Sequence, residues 1–330
     1  MPARGVSISA YVRSFELPKN SLRPAEFANR RGGAPRHLGG QGMMRWSTTV
    51  GIAAAGMLLA MVITTKASAE TDPMAATGSR EAQDEATRSI PWKYLANNEQ
   101  RMVQYVVRNN SIYRRMPTRV IDCDPKVFNY LGQNPQVVTE LWKMMGVCNL
   151  TLEKVSDDTY RATDDNGTSG VLKVLSDRWN DDAQNSILLY CEGTYKGAPL
   201  PGEITARSVL LLRSGSVVET NGRPYVTARL DSWVLIDRLG VELVAKTIQP
   251  LLTKTADHNF TETMKFVGTF SKTAENNPAG MVNLSRKLEA IDEPTRVSMG
   301  VLCHETAARY QAIAAKSQES AVRVASQSSP

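Results

Sequence analysis

The sequence predicts an α+β protein in which an antiparallel β-meander is followed by one long helix, with helical segments at both ends. Two changes of hydrophobic period carry this expectation. From Leu150 to Asp237 apolar residues recur every second position in short runs, the signature of half-buried strands. After Gly240 the spacing becomes helical, and Val244, Ile248, Leu252, Ala256, Phe260, Met264, Val267, Phe270 and Ala274 form one stripe. The strand runs are joined by short polar turns, whereas a parallel crossover needs about a dozen residues or more, so the sheet should be antiparallel.

The chain has 330 residues and a formal charge of +6, which would suit a nucleic-acid or membrane-surface protein. The charge is not evenly placed. Residues 1–69 hold nine Lys/Arg and two Asp/Glu, leaving 30 basic and 31 acidic residues in 70–330. No Lys/Arg stripe remains outside the leader, which argues against a nucleic-acid partner. Residues 1–42 are Arg-, Gly- and Pro-rich without apolar periodicity and read as a misassigned start or a leader. Residues 43–69 have the parts of a signal peptide: Arg45, an apolar run from Val50 to Ile63, and Ala67-Ser68-Ala69 before Glu70. Cleavage is expected between Ala69 and Glu70. The run is short against the roughly 20 residues of a membrane-spanning helix. An uncleaved signal-anchor is the alternative, and would be the only membrane attachment. Either route exports the domain to the periplasm, envelope or medium.

Residues 70–92 are small and polar and read as a flexible linker, and 93–117 as a helical arm with a helix from Asn97 to Arg108 capped by Asn98. Thr118–Ile121 is the first strand candidate. Asp124-Pro125 then opens a helix, with Asp124 as N-cap and Pro125 at the first helical position. Asn134-Pro135 opens a second, ending at Gly146. Strands are expected at 149–155, 159–163, 170–175, 186–195, 204–213, 217–219 and 225–237, with turns at Ser214-Gly215 and Asn221-Gly222 among others. The core is thus 118–275. A helical hairpin over 276–316 follows, opened by Asn277-Pro278 and then by Asp292, and 317–330 is a polar disordered tail.

This order of strand, two helices, meander and long helix, together with the opening Thr118-Arg119-Val120-Ile121-Asp122-Cys123-Asp124-Pro125, resembles the helix-grip fold of the START and Bet v 1-like superfamily. The resemblance covers roughly Thr118 to Ala274 and is topological. It implies a sheet wrapped around the long helix and a cavity for an apolar or amphiphilic small molecule.

Chemistry-bearing motifs are few. Past the leader the only histidines are His258 and His304, and His304-Glu305 lacks the second histidine of a zincin because Ala308 stands there. No nucleophile elbow, phosphate-binding loop or metal-ligand spacing is present, so neither a cofactor nor a metal is expected. Cys123, Cys148, Cys191 and Cys303 allow two disulfides in three connectivities, or serve as small buried residues. Cys123 with Cys148 is the pair to test.

The leading functional expectation is non-catalytic binding of an apolar or amphiphilic molecule, lined by Val244, Ile248, Phe260 and Met264 and anchored by His258 or Arg229. Arg229 suits a carboxylate if its strand face lines a cavity. If that face is outer, Arg229 and Asp231 join Arg207 and Glu192 in a surface charge ladder. An envelope protein partner is the alternative, with a filled core and an exposed apolar patch between Met281 and Ala315. A third expectation is an enzyme using His258 beside Asp257 as acid or base.

Overall fold

The computed structural model describes residues 74–327 apart from 166, 179–183, 197–201, 221 and 238–240. The leader, including Ala69 and Glu70, lies outside the described residues. Helix α1 spans Arg80–Arg88, where a flexible linker was expected. Its signal is Ser79, whose hydroxyl accepts from the Ala82 N–H at 3.2 Å; with Ala82 and Ala86 buried, one face of this polar helix docks. Helix α2 spans Asn97–Asn109. Its N-cap is Ala96 rather than Asn98, because the Glu99 carboxylate accepts from the Ala96 N–H at 3.0 Å.

Strands β1 (Ile112–Arg115) and β2 (Arg119–Asp122) lie end to end along β8 (Pro224–Asp237). Pro117 lacks an N–H and interrupts the ladder, while the Met116 N–H still donates to the Leu230 carbonyl at 2.9 Å. The expected arm therefore contains a strand. Upstream, Thr77 exchanges two backbone hydrogen bonds with Arg115, and the Met74 carbonyl accepts from Thr118 N at 2.9 Å, so residues 74–77 cover the edge of β1 that β8 leaves open.

Asp124 caps α3 (Pro125–Gln133) as expected, accepting from Lys126 N at 2.8 Å, and Pro135 opens α4 (Pro135–Met144). Then come β3 (Thr151–Lys154), β4 (Thr159–Thr163), β5 (Thr168–Arg178), β6 (Asn185–Tyr195) and β7 (Ile204–Val218). All pairs are antiparallel, and the eight-stranded sheet has the order β1-β8-β7-β6-β5-β4-β3, with β2 also on β8. The expected turn at Ser214-Gly215 does not form; both residues stay paired with β8, opposite Ala228 and Thr227. The β7–β8 hairpin carries Gly222 at φ +79°; the other residue of the expected turn, Asn221, lies outside the described residues. Gly170 faces Gly193 across β5 and β6, and a Cβ at either would sit 2.7 Å from a backbone carbonyl oxygen of the other strand. Only glycine permits that approach.

Helix α5 runs from Val241 to Asn276. It is followed by α6 (Pro278–Ser285), capped by Asn277, and α7 (Glu293–Gln327), which continues to Gln327 in the stretch expected to be a disordered tail. Side-chain anchors hold α7 in place. Arg309 Nε donates to the buried Asp124 carboxylate at 2.9 Å, Tyr130 donates its hydroxyl proton to the Thr295 carbonyl at 2.8 Å, and the Arg223 guanidinium lies 4.8 Å from the centre of the Tyr310 ring.

Strand alternation sends successive residues to opposite faces, and both faces are covered. On one, Leu172, Leu189, Leu210 and Leu230 join Trp142 of α4 and Phe260, Met264, Phe266 and Phe270 of α5 in the main core. On the other, Leu188, Leu211, Trp233 and Tyr113 pack beneath Ala86 of α1 and Val103 and Val106 of α2. The N-terminal arm is therefore a structural layer of the domain.

Candidate functional site

The six expected binding residues do not converge. Phe260 and Met264 are buried in the main core. Val244 and Ile248 lie in α5, but their side chains fall outside the described residues. His258 is exposed, so it cannot anchor an enclosed ligand or act in a dry pocket. Its neighbour Asp257 turns to β1, accepting from Arg114 Nε at 3.0 Å. Arg229 stands opposite Arg213 on the face away from α5, separated from Phe260 and Met264 by the sheet itself. One-residue alternation decides this: Ala228 and Leu230 face α5, and Arg229 must face the arm.

The candidate disulfide is also absent, since Cys123 and Cys148 are both free thiols. Cys123 follows β2 and Cys148 precedes β3, and these strands occupy opposite edges of the sheet; α3 and α4 carry the chain between them. Burial pushes the Cys123 thiol well above its ordinary pKa, and its Sγ–H donates to the Asp124 carbonyl. That environment suits an inert core residue rather than a nucleophile. Among the described residues no group of three His, Cys, Asp or Glu side chains could hold a metal ion.

The expected surface ladder is half present. Arg207 reaches Asp237 at 2.8 Å and Glu192 at 3.7 Å on a partly exposed part of the sheet. Asp231 does not join it, for its carboxylate is completely buried under the arm. One oxygen accepts from Tyr113 Oη and Arg115 Nε, each at 2.7 Å, and the other accepts from Arg213 Nη2 at 2.9 Å. Glu85 of α1 closes the cluster, accepting from Arg213 Nη1 at 2.6 Å and from Arg115 Nη2. Burial opposes the charge on both arginines. The paired carboxylates outweigh it and hold their pKa values above the ordinary one.

Of these four charged residues sequence reasoning singled out only Asp231, and placed it in a surface ladder. Their signal was a polar residue breaking an apolar strand, as in Leu210-Leu211-Leu212-Arg213 and Leu230-Asp231-Ser232-Trp233. Alternation alone allowed the face of Asp231 to be the outer one, because the arm that covers it is far away in sequence.

Glu85 gives the cluster an acid limit. Chiefly through its hydrogen bond to Arg213, its pKa falls from 4.5 to about 2. A lowered folded-state value contributes stability above the unfolded value and loses it as pH falls through the folded one. Stability should therefore decline between pH 4.5 and 2, and Glu85→Gln should flatten that segment of a stability-against-pH curve. Because the Glu85 side chain is 40 % exposed, solvent screening keeps the effect modest.

A different feature lies on α7. Glu293, Pro294, Val297, Ser298, Val301, Leu302 and Glu305 line a shallow surface groove of about 700 Å³. Val297 and Val301 are 57 % and 52 % exposed, and with Pro294 they follow the i, i+3, i+7 spacing of one helix face. Met299 and Cys303, on the other side of the helix, are buried in the core. The helix is thus apolar on both sides over this stretch, which its docking on the domain alone does not require.

No protein-family model matches the chain, and no curated protein matches it. Among solved structures it is similar to a conserved protein from Geobacillus kaustophilus, at 12% identity and a TM-score of 0.26, over 46% of this chain and 91% of that one. Among the described residues no helix is long and apolar enough to cross a membrane.

Proposed function

We propose that the protein is an exported, non-catalytic interaction module of helix-grip-like topology, and that it binds an amphipathic helix of an envelope protein through α7. The observation that carries this reading is the exposed Pro294, Val297 and Val301 face, with Glu293 at one end and Glu305 at the other. Large apolar side chains repeated along a helix and left in water mark a contact surface more often than isolated ones do. The flanking carboxylates call for an occupant with Lys or Arg beside its apolar face. A second copy of α7 fits poorly, because antiparallel pairing centred on Met299 would oppose Glu293 with Glu305.

The test places a photo-crosslinking residue at Val297 in cells that make the protein and sequences the captured peptide. A basic-flanked amphipathic helix from another protein is expected. The double substitution Val297→Glu, Val301→Glu should abolish the adduct and leave thermal unfolding within about 4 °C, since two exposed substitutions at about 0.5 kcal/mol or less each total about 1 kcal/mol at most. Capture of this chain alone, or an adduct that survives the double substitution, would overturn the reading.

A second reading is supported by the connectivity. The first strand lies beside the last, two helices follow it, and the long helix leaves the last strand to pack on the main core, an arrangement that resembles START and Bet v 1-like proteins. In that reading an apolar or amphiphilic molecule sits between sheet and α5, against Phe260 and Met264. Native mass spectrometry of the protein from its own envelope, compared with its denatured mass, tests it. A retained small molecule is the expected result, and a bare mass rejects it.

A further inference from the structure

The arm-face charge cluster does not balance. Arg115, Arg213 and Arg229 stand against Glu85 and Asp231, leaving one positive charge. Arg229 carries it. Its Nε donates to Thr118 Oγ1 at 3.2 Å, and among the described residues no carboxylate pairs with it and neither Nη group has a hydrogen-bond partner. Burial and the nearby Arg115 and Arg213 depress its pKa and outweigh Asp231 and Glu85, which act the other way but are already paired with those two arginines.

The strand register places an open shelf next to this arginine. Two residues along β8, Thr227 lies between Val120 of β2 and Gly215 of β7; two further, Tyr225 lies between Asp122 and Val217. All share the face of Arg229. Val120 is 55 % and Val217 is 62 % exposed. A side chain built at Gly215 would meet open space. The floor is therefore an exposed shelf with Val120 on one side and Val217 on the other, Asp122 beside Val120 being held by Arg223, and the Arg229 guanidinium, without a carboxylate partner, at one end.

We propose that this shelf binds a single-chain amphiphile with a carboxylate head, the head on the Nη groups of Arg229 and the tail over Gly215 between Val120 and Val217. The single uncompensated charge matches a monoanion, and Glu85 and Asp231 close by would repel a dianion such as a phosphate monoester. The planar guanidinium fork matches the two carboxylate oxygens. The site needs neither the α7 contact nor an interior cavity.

The test is isothermal titration of the protein with monomeric dodecanoate, with acetate, dodecyltrimethylammonium and anionic phosphatidylglycerol vesicles as comparisons. Dodecanoate should bind one to one, acetate far more weakly for want of a tail, and the cation not at all. Arg229→Gln should weaken dodecanoate on the order of ten- to a hundredfold, the effect of losing a charge-assisted hydrogen-bonded pair. It should leave thermal unfolding unchanged or raised, because it relieves repulsion from Arg115 and Arg213. Gly215→Val, which suits a strand and occupies the shelf, should also remove binding. Unchanged dodecanoate affinity in either variant would overturn the proposal by placing the molecule elsewhere. Absence of dodecanoate binding, equal binding of the cationic amphiphile, or binding to vesicles alone would overturn it as well.

Discussion

Asp231→Ala should destabilise the fold by about 3–5 kcal/mol, the cost of breaking a buried ion pair by removing one partner. The carboxylate is fully buried and accepts from Tyr113, Arg115 and Arg213. Without it, two guanidinium groups that are no more than 10 % exposed keep only Glu85 as a counter-charge, and it is itself partly in water. Equilibrium unfolding in urea measures the loss. Asp231→Asn, which keeps shape and one acceptor, should fall between wild type and Ala. Replacing Arg115, Arg213 and Asp231 together by Met, Met and Leu should recover most of the stability, since apolar packing often equals a buried ionic cluster. A loss below about 1 kcal/mol for Asp231→Ala would mean that water already reaches the cluster and that α1 is loosely held. Hydrogen exchange distinguishes the consequences: with Asp231 gone, the amides of α1 and of the Thr77–Arg115 bridge should exchange first, because α1 is held by Glu85 and a few small apolar contacts.

Trp142→Ala should cost about 3–5 kcal/mol, the range for truncating a large buried aromatic in a packed core. Trp142 meets the Phe266 ring at 5.6 Å and 68°, an edge-on contact that joins α4 to α5. Urea unfolding followed by far-ultraviolet circular dichroism gives the value. The magnitude also bears on function. In a filled core the deletion leaves a cavity, and the full penalty follows. A loss below about 1.5 kcal/mol would mean that space already exists beneath α4, favouring the interior ligand over the α7 contact. In that event apolar ligands should restore part of the lost stability.

Much of the fold was legible because its determinants are local. Asp124-Pro125, Asn277-Pro278 and Asp292 sit where α3, α6 and α7 begin, since a side-chain oxygen satisfying a free N–H at a helix start needs no distant partner. The expected strands match β3 to β8 closely, except that β7 runs through Ser214-Gly215 because β8 supplies a hydrogen-bonding neighbour there. The short strand at Ile112–Arg115 was missed for the same reason. Its sequence has no clear alternation, and the long β8 recruits it. Helix α1 was legible in principle from Ser79, but its composition is that of a solvated segment, and only docking on the sheet makes it an element.

The candidate sites were less legible. Arg229 was marked as a carboxylate binder for the case that its strand face lines a cavity, and it lies on the face opposite the helix stripe with which it had been grouped. His258 was marked for its unusual neighbours, and its exposure deprives it of a pocket. The apolar face of α7 was foreseen as the mark of a protein partner between Met281 and Ala315, and Val297 and Val301 lie in that interval.

By itself the sequence determined the order of most strands and helices from Asp124 onward and that the sheet is antiparallel, because periodicity, capping and loop length act over a few residues. Which face of the sheet meets α5, that the arm covers the other, and that Asp231 and Arg213 lose their water beneath it were decided only by tertiary structure. Alternation shows that a strand has two different faces but does not say what covers either one. That depends on contacts between residues more than a hundred positions apart, such as Tyr113 with Asp231 and Glu85 with Arg213.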